Sequence, residues 1–124
     1  MPIALIVEDD QSTRLLYRKI LEKVQFKVYE AEDGVEGLQM LKKQKYDVII
    51  LDLHMPKMDG EQVMIVLNKR KESLPVIVVS AHLTKERILK MAKLGVKEFL
   101  QKPFEIRNFY QTVNRVYPIK VQEA

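Results

Sequence analysis

Three carboxylates in this chain, Glu8, Asp9 and Asp52, stand at the ends of apolar runs short enough to be strands: Ile3-Ala4-Leu5-Ile6-Val7 before the first two, Val48-Ile49-Ile50-Leu51 before the third. A further run, Val76-Ile77-Val78-Val79, delivers Ser80, and Val96 to Leu100 is followed by Lys102. In an open parallel α/β sheet, ligands bind in the crevice outside the carboxyl ends of the strands. Three carboxylates, one hydroxyl and one ammonium are therefore expected in one pocket. That set suits the binding of a divalent cation and the handling of a phosphoryl group.

The elements that must position these groups can be read from period. Apolar runs alternate with helix-period segments along the whole chain, a βαβ pattern that predicts a doubly wound parallel sheet with helices on both faces. Strands are expected near 3–8, 27–31, 47–51, 76–80 and 97–101, and helices near 11–24, 34–44, 60–71, 84–94 and 105–117. Ile106, Phe109, Val113 and Val116 form one stripe of the last helix, and Leu16, Ile20, Leu21 and Val24 one face of the first. Asp10, Asp33, Asp59 and Thr84 read as N-caps, Asp33 with an acidic N3 partner in Glu36. Gly95 falls where a residue with positive φ ends a helix. The third and fourth strands are apolar without alternation, as strands covered on both faces are. The second, Lys27-Val28-Tyr29-Glu30-Ala31, alternates and is expected at an edge.

With 124 residues, 47% hydrophobic and 31% charged, the chain has the size and composition of one soluble globular domain. No apolar run approaches the ~20 residues of a membrane span. Met1-Pro2 leads directly into a strand, with no signal peptide, and a cytoplasmic location is expected. The absence of cysteine excludes disulfides, thiolate metal sites and Cys nucleophiles. The net charge of +4 is assigned to solvated helix ends (Lys42, Lys43, Lys45, Lys69, Arg70 and Lys71), where cations favour the helix dipole, and no direct contact with nucleic acid is expected.

Four segments taken in order, Val7-Glu8-Asp9-Asp10, Leu51-Asp52-Leu53-His54-Met55-Pro56-Lys57-Met58-Asp59-Gly60, Ser80-Ala81 and Lys102-Pro103-Phe104, resemble the receiver domain of response regulators. The resemblance covers residues 3 to 118. It implies a flavodoxin-like (βα)5 fold with strand order 2-1-3-4-5, a receiver over 1–120 and a disordered tail at 121–124.

The resemblance also implies roles. Asp52 is the phosphoacceptor, a carboxylate nucleophile that must be aligned with phosphorus. Glu8, Asp9, Asp52 and the backbone carbonyl of His54 hold Mg²⁺, which takes hard oxygen ligands and keeps waters. Without a cation, two carboxylates ~4 Å apart repel by roughly 4 kcal/mol at an effective dielectric of 20. Asp10 lies in the same acidic run, but as helix cap, not ligand. Lys102 pairs with Asp52 and then with the phosphoryl oxygen, and its bond to Pro103 is expected to be cis. Ser80 donates to the phosphoryl oxygen, and Ala81 leaves room for the group. Ser80 and Phe99 form the switch, in which only packing can report the Phe rotamer. His54 and His82 each follow a site residue by two, at positions that tune hydrolysis of the aspartyl phosphate in that family. An imidazole can gain charge in the physiological range, which makes hydrolysis sensitive to pH.

The function implied is a phosphorelay receiver that catalyses only its own phosphorylation and dephosphorylation. Its expected partners are a histidine kinase or histidine phosphotransfer protein, and a protein target on the surface of helix four, strand five and helix five, with Lys90, Lys93, Lys97, Arg107 and Tyr110 exposed. One alternative is a receiver fragment of a larger DNA-binding regulator. A second, a flavodoxin-like FMN protein, requires a Ser/Thr/Gly-rich loop where this chain has Glu8-Asp9-Asp10. A third, an aspartyl phosphatase, commonly uses Asp-x-Asp, where this chain has Asp52-Leu53-His54.

Overall fold

The computed structural model describes residues 1–119. The expected tail at 121–124 lies outside the described residues. The elements alternate: β1 (Ile3–Val7), α1 (Gln11–Lys23), β2 (Lys27–Ala31), α2 (Gly34–Lys43), β3 (Val48–Asp52), α3 (Gly60–Lys69), β4 (Val76–Ser80), α4 (Lys85–Lys93), β5 (Glu98–Gln101) and α5 (Ile106–Val116). The five strands form one parallel sheet in the order β2-β1-β3-β4-β5. The unbroken apolar strands β1, β3 and β4 are interior, and the alternating β2 is at an edge.

Successive strand side chains point to opposite faces, so each apolar run feeds two cores. Ala4, Ile6, Val48, Ile50, Ile77, Val79 and Leu100 pack under α1 and α5 with Tyr17, Leu21, Phe109 and Val113. Leu5, Val7, Ile49, Leu51, Val76 and Val78 pack under α2, α3 and α4 with Leu38, Val63, Leu67 and Met91. Helices α1 to α4 start at side-chain caps: Asp10 accepts from Thr13 N, Asp33 from Glu36 N, Asp59 from Gln62 N and Thr84 from Arg87 N. At α3 the cap is reciprocal, with Gln62 returning a bond to the Asp59 amide. Gly95 follows α4 at φ 110°. Lys42 and Lys43 lie in the last turn of α2 and Lys69 in that of α3.

The expected stripes of α1 and α5 pack into the core except at one residue each, Leu16 and Ile106. Leu16 is 46% exposed, and the buried face of α1 is Arg14, Tyr17, Ile20 and Leu21. The residues at i, i+3 and i+7 turn inward, and one of them is an arginine whose stem packs while its head is paired. Ile106 is 52% exposed because it opens α5 ahead of the first turn that meets the sheet; Phe109, Thr112 and Val113 carry that contact.

Candidate functional site at the carboxyl edge of the sheet

Strand register brings the chemistry together. Val7 pairs with Leu51, so Glu8 and Asp52 leave the sheet level with one another. Asp52 pairs with Val79, which places Ser80 one residue further along β4. Ser80 pairs with Gln101, which hands the chain to Lys102, and the Lys102 amide donates to the Ser80 carbonyl at 2.9 Å. The Lys102–Pro103 peptide bond is cis, as expected.

Carboxylate oxygens of Glu8, Asp9 and Asp52 lie within 4.8 Å of one another. Asp9 is exposed, Asp52 is 7% exposed and Glu8 only 2%. The Glu8 main chain is satisfied on both sides: its amide donates to Ala31 O at 3.1 Å, and its carbonyl accepts from Arg14 Nη1 at 2.8 Å. Its Oε1 lies 3.3 Å from Lys102 Nζ, while Oε2 is buried with no hydrogen-bond partner. Burial and the neighbouring Asp52 and Asp9 carboxyls raise the Glu8 pKa to about 8, against the smaller opposing pull of Lys102. The partnerless oxygen is the atom that either a proton or a hard cation would satisfy. Three converging carboxylates, one of them buried and held near neutrality by its neighbours, fit a divalent cation.

The other expected residues are at the same edge. The His54 amide donates to Asp52 Oδ1 at 3.3 Å, and the His82 amide donates to Ser80 Oγ at 3.1 Å. Ser80 is fully buried. The exposed rings of His54 and His82 meet edge to face, centroids 5.3 Å apart, so the two loops touch over the crevice. Phe99 lies on β5, half-buried against the core beneath α3 and α4. Asp10 stays with α1: its carboxylate binds the Thr13 amide and hydroxyl, and those bonds hold its pKa below the usual range.

Two expectations need correction. Lys102 forms its ion pair with Glu8, not Asp52: the longer Glu side chain carries its oxygen toward β5, and the more buried carboxylate has more to gain from an ammonium. Tyr110 is not a free surface residue. Its hydroxyl donates to the Ile20 carbonyl at 3.1 Å, and its ring packs against the core between α1 and α5.

Two residues outside the motif segments also shape the site. Gln101 Nε2 donates to Ala81 O at 2.8 Å and Lys102 O at 3.1 Å, tying together the loops after β4 and β5. Arg14 reaches beneath the acidic loop; its phase with Tyr17 and Leu21 was the available signal.

Gly60 shows how closely the β3–α3 loop folds over the site. A Cβ there would stand 2.4 Å from the Asp52 carbonyl oxygen and 2.9 Å from Leu53 Cα. The Gly60 amide instead donates to Leu53 O at 3.1 Å. A side chain would push the start of α3 off the end of β3.

Comparison with known proteins agrees with this geometry. Residues 4–114 match the response regulator receiver domain family. The chain is 28% identical to sporulation initiation phosphotransferase F of Bacillus subtilis over 94% of each. It is 34% identical to the transcriptional regulatory protein GlrR of Escherichia coli over 89% of this chain and spans about a quarter (25%) of that relative's length. Among solved structures, the receiver domain of the Francisella response regulator 1452 superposes with a TM-score of 0.88 at 32% identity, covering 94% of this chain and 97% of that one. A parallel sheet in the order β2-β1-β3-β4-β5 and an acidic cluster at its carboxyl edge thus coincide with a family match over nearly the whole chain, which belongs to the response regulator receiver domains of two-component signalling.

Proposed function

We propose that Asp52 accepts a phosphoryl group from the phosphohistidine of a kinase or phosphotransfer protein. An Asp52 carboxylate oxygen forms the new P–O bond as the donor's P–N bond breaks and the electron pair returns to the imidazole. Glu8, Asp9, Asp52 and the His54 carbonyl would hold Mg²⁺, which supplies charge neutralisation for the cluster and for the phosphoryl oxygens. The remaining work belongs to the chain. The His54 amide fixes Asp52 Oδ1, and the Lys102 ammonium is poised one carboxylate away, on Glu8. When a phosphoryl group arrives, Lys102 exchanges Glu8 for a phosphoryl oxygen, and the Ser80 hydroxyl donates to another. Such transfers depend on positioning and charge stabilisation.

The observation that carries this reading is the partnerless Glu8 Oε2 inside a three-carboxylate cluster level with Asp52. Incubation with acetyl phosphate and Mg²⁺, followed by intact mass, should give a single phosphoryl adduct. Asp52→Asn, or chelation of the cation, should abolish it. An adduct that survives Asp52→Asn would refute the assignment.

Output follows from Ser80 and Phe99. Movement of Ser80 toward the phosphoryl group frees space behind β4 for the Phe99 ring, altering the face formed by α4, β5 and α5. Lys93, Lys97 and Arg107, on and between these elements, are exposed and are the side chains a contact there would use, while Lys90 is paired to Glu61 of α3 at 2.5 Å. We read that face as the contact for a downstream protein and the chain as cytoplasmic. Among the described residues no helix is long and apolar enough to cross a membrane. Because the chain spans only a quarter of GlrR, a second reading is the receiver of a longer regulator. The same switch would then act on an attached output module.

A further inference from the structure

We propose that Arg14 is the positioning residue of the cation site: its guanidinium sets the main chain of Glu8 and Asp9 so that both carboxylates face Asp52. The inference rests on the cation reading above. Arg14 is a buried arginine on α1, 8% exposed, and it spends its donors on the acidic loop. Nη1 binds the Glu8 carbonyl at 2.8 Å and the Asp9 carbonyl at 3.1 Å, while Nε binds Glu30 Oε1 on β2 at 3.2 Å. Glu30 is itself held, its Oε2 accepting from Arg18 Nε at 2.7 Å. Arg18 is anchored in turn on the Val28 carbonyl at 3.3 Å. A relay thus runs from the edge strand through Glu30 to the peptide groups that carry two of the three carboxylates.

The geometry uses what a guanidinium alone offers. Its planar fork spreads donors in fixed directions, and one edge can bind a carboxylate while a terminal nitrogen bridges two carbonyls. With both carbonyls turned toward α1 and the Glu8 amide committed to Ala31, the Glu8 and Asp9 side chains are left on the crevice side. A lysine keeps the charge but cannot hold Glu30 and both carbonyls in one plane. Of the three hydrogen-bond acceptors only Glu30 is anionic, and together with the Glu32 carboxylate 3.9 Å from Nη2 it offsets the guanidinium's repulsion of a nearby cation.

This relay predicts a sign opposite to simple electrostatics. A positive charge beside a cation site opposes cation binding, so on charge alone Arg14→Met would tighten Mg²⁺ binding and Arg14→Lys would leave it unchanged. If Arg14 positions the loop, both variants bind Mg²⁺ more weakly, by about tenfold or more, the usual scale for removing a group that orients metal ligands. Calorimetric titration of the unphosphorylated full chain with Mg²⁺, well below each variant's unfolding temperature, reads this directly; the acetyl phosphate adduct rate at saturating Mg²⁺ provides a second measure. The expected result is a raised Kd in both variants, with the adduct rate largely recovered when Mg²⁺ is saturating. A Kd unchanged in Arg14→Lys, or lowered in Arg14→Met, overturns the proposal and leaves Arg14 as a fold contact that changes only the unfolding temperature. Should neither variant fold, Glu30→Asp keeps both charges and draws the carboxylate back from Arg14 Nε; a several-fold higher Kd supports the relay, and an unchanged one overturns it. Failure of the wild-type chain to bind Mg²⁺ or to form the Asp52 adduct would instead remove the functional reading beneath the proposal.

Discussion

Replacing Glu8 by Gln should stabilise the cation-free protein while disabling its chemistry, and the size of the effect follows from one carboxyl group. Glu8 is buried beside two other carboxyls, and its pKa rises from an ordinary 4.5 to about 8. Below pH 4.5 the group is protonated both folded and unfolded, and nothing is lost. As pH rises toward 8 the unfolded chain releases its proton while the folded one retains it, so stability falls through that window. Linkage gives about 1.4 kcal/mol per pH unit, hence about 3 kcal/mol by pH 7 and about 5 kcal/mol once pH exceeds 8. Gln keeps the shape and removes the titration. Urea unfolding of both proteins in chelator, from pH 5 to 9, should show the wild type falling away from Glu8→Gln with that slope and then running parallel. Saturating Mg²⁺ should reverse the order near pH 8 by stabilising the wild type through mass action. Curves that stay parallel across the whole range would refute the burial argument for Glu8.

Two other substitutions probe the scaffold. Gly60→Ala places a Cβ 2.4 Å from the Asp52 carbonyl oxygen; it should cost about 1–3 kcal/mol in chemical unfolding, as overpacking does, and slow adduct formation by displacing the loop after β3. Tyr110→Phe removes the hydroxyl that binds Ile20 O and should cost about 1 kcal/mol without changing Mg²⁺ affinity, since that bond joins α1 to α5 away from the acidic cluster.

The outcomes at particular residues show what can be read without coordinates. Glu8, Asp52, Ser80 and Lys102 were legible because each ends an apolar run. Parallel register sets strand ends level, so position along the chain converts directly into position at the sheet edge. The pairing of Lys102 was not legible. Asp52 and Glu8 leave neighbouring strands, and the choice between them rests on side-chain reach and burial, which period does not encode. Arg14 failed for a different reason. An apolar stripe is found by counting apolar residues, and Leu16 counts while Arg14 does not, yet the buried phase of α1 runs through Arg14, Tyr17 and Leu21.

The arginine on the buried face of α1 and the chemistry of the site have one physical origin. A loop that must present Glu8 and Asp9 outward has to turn their carbonyls inward, where water cannot satisfy them. The first helix resolves this by spending a core position on a guanidinium. That choice pairs Arg14 with Glu30 on the edge strand. The one buried polar side-chain atom left without a partner among the described residues is then Glu8 Oε2. The fold satisfies the main chain around the cluster and leaves the remaining demand on the atom where a cation would bind.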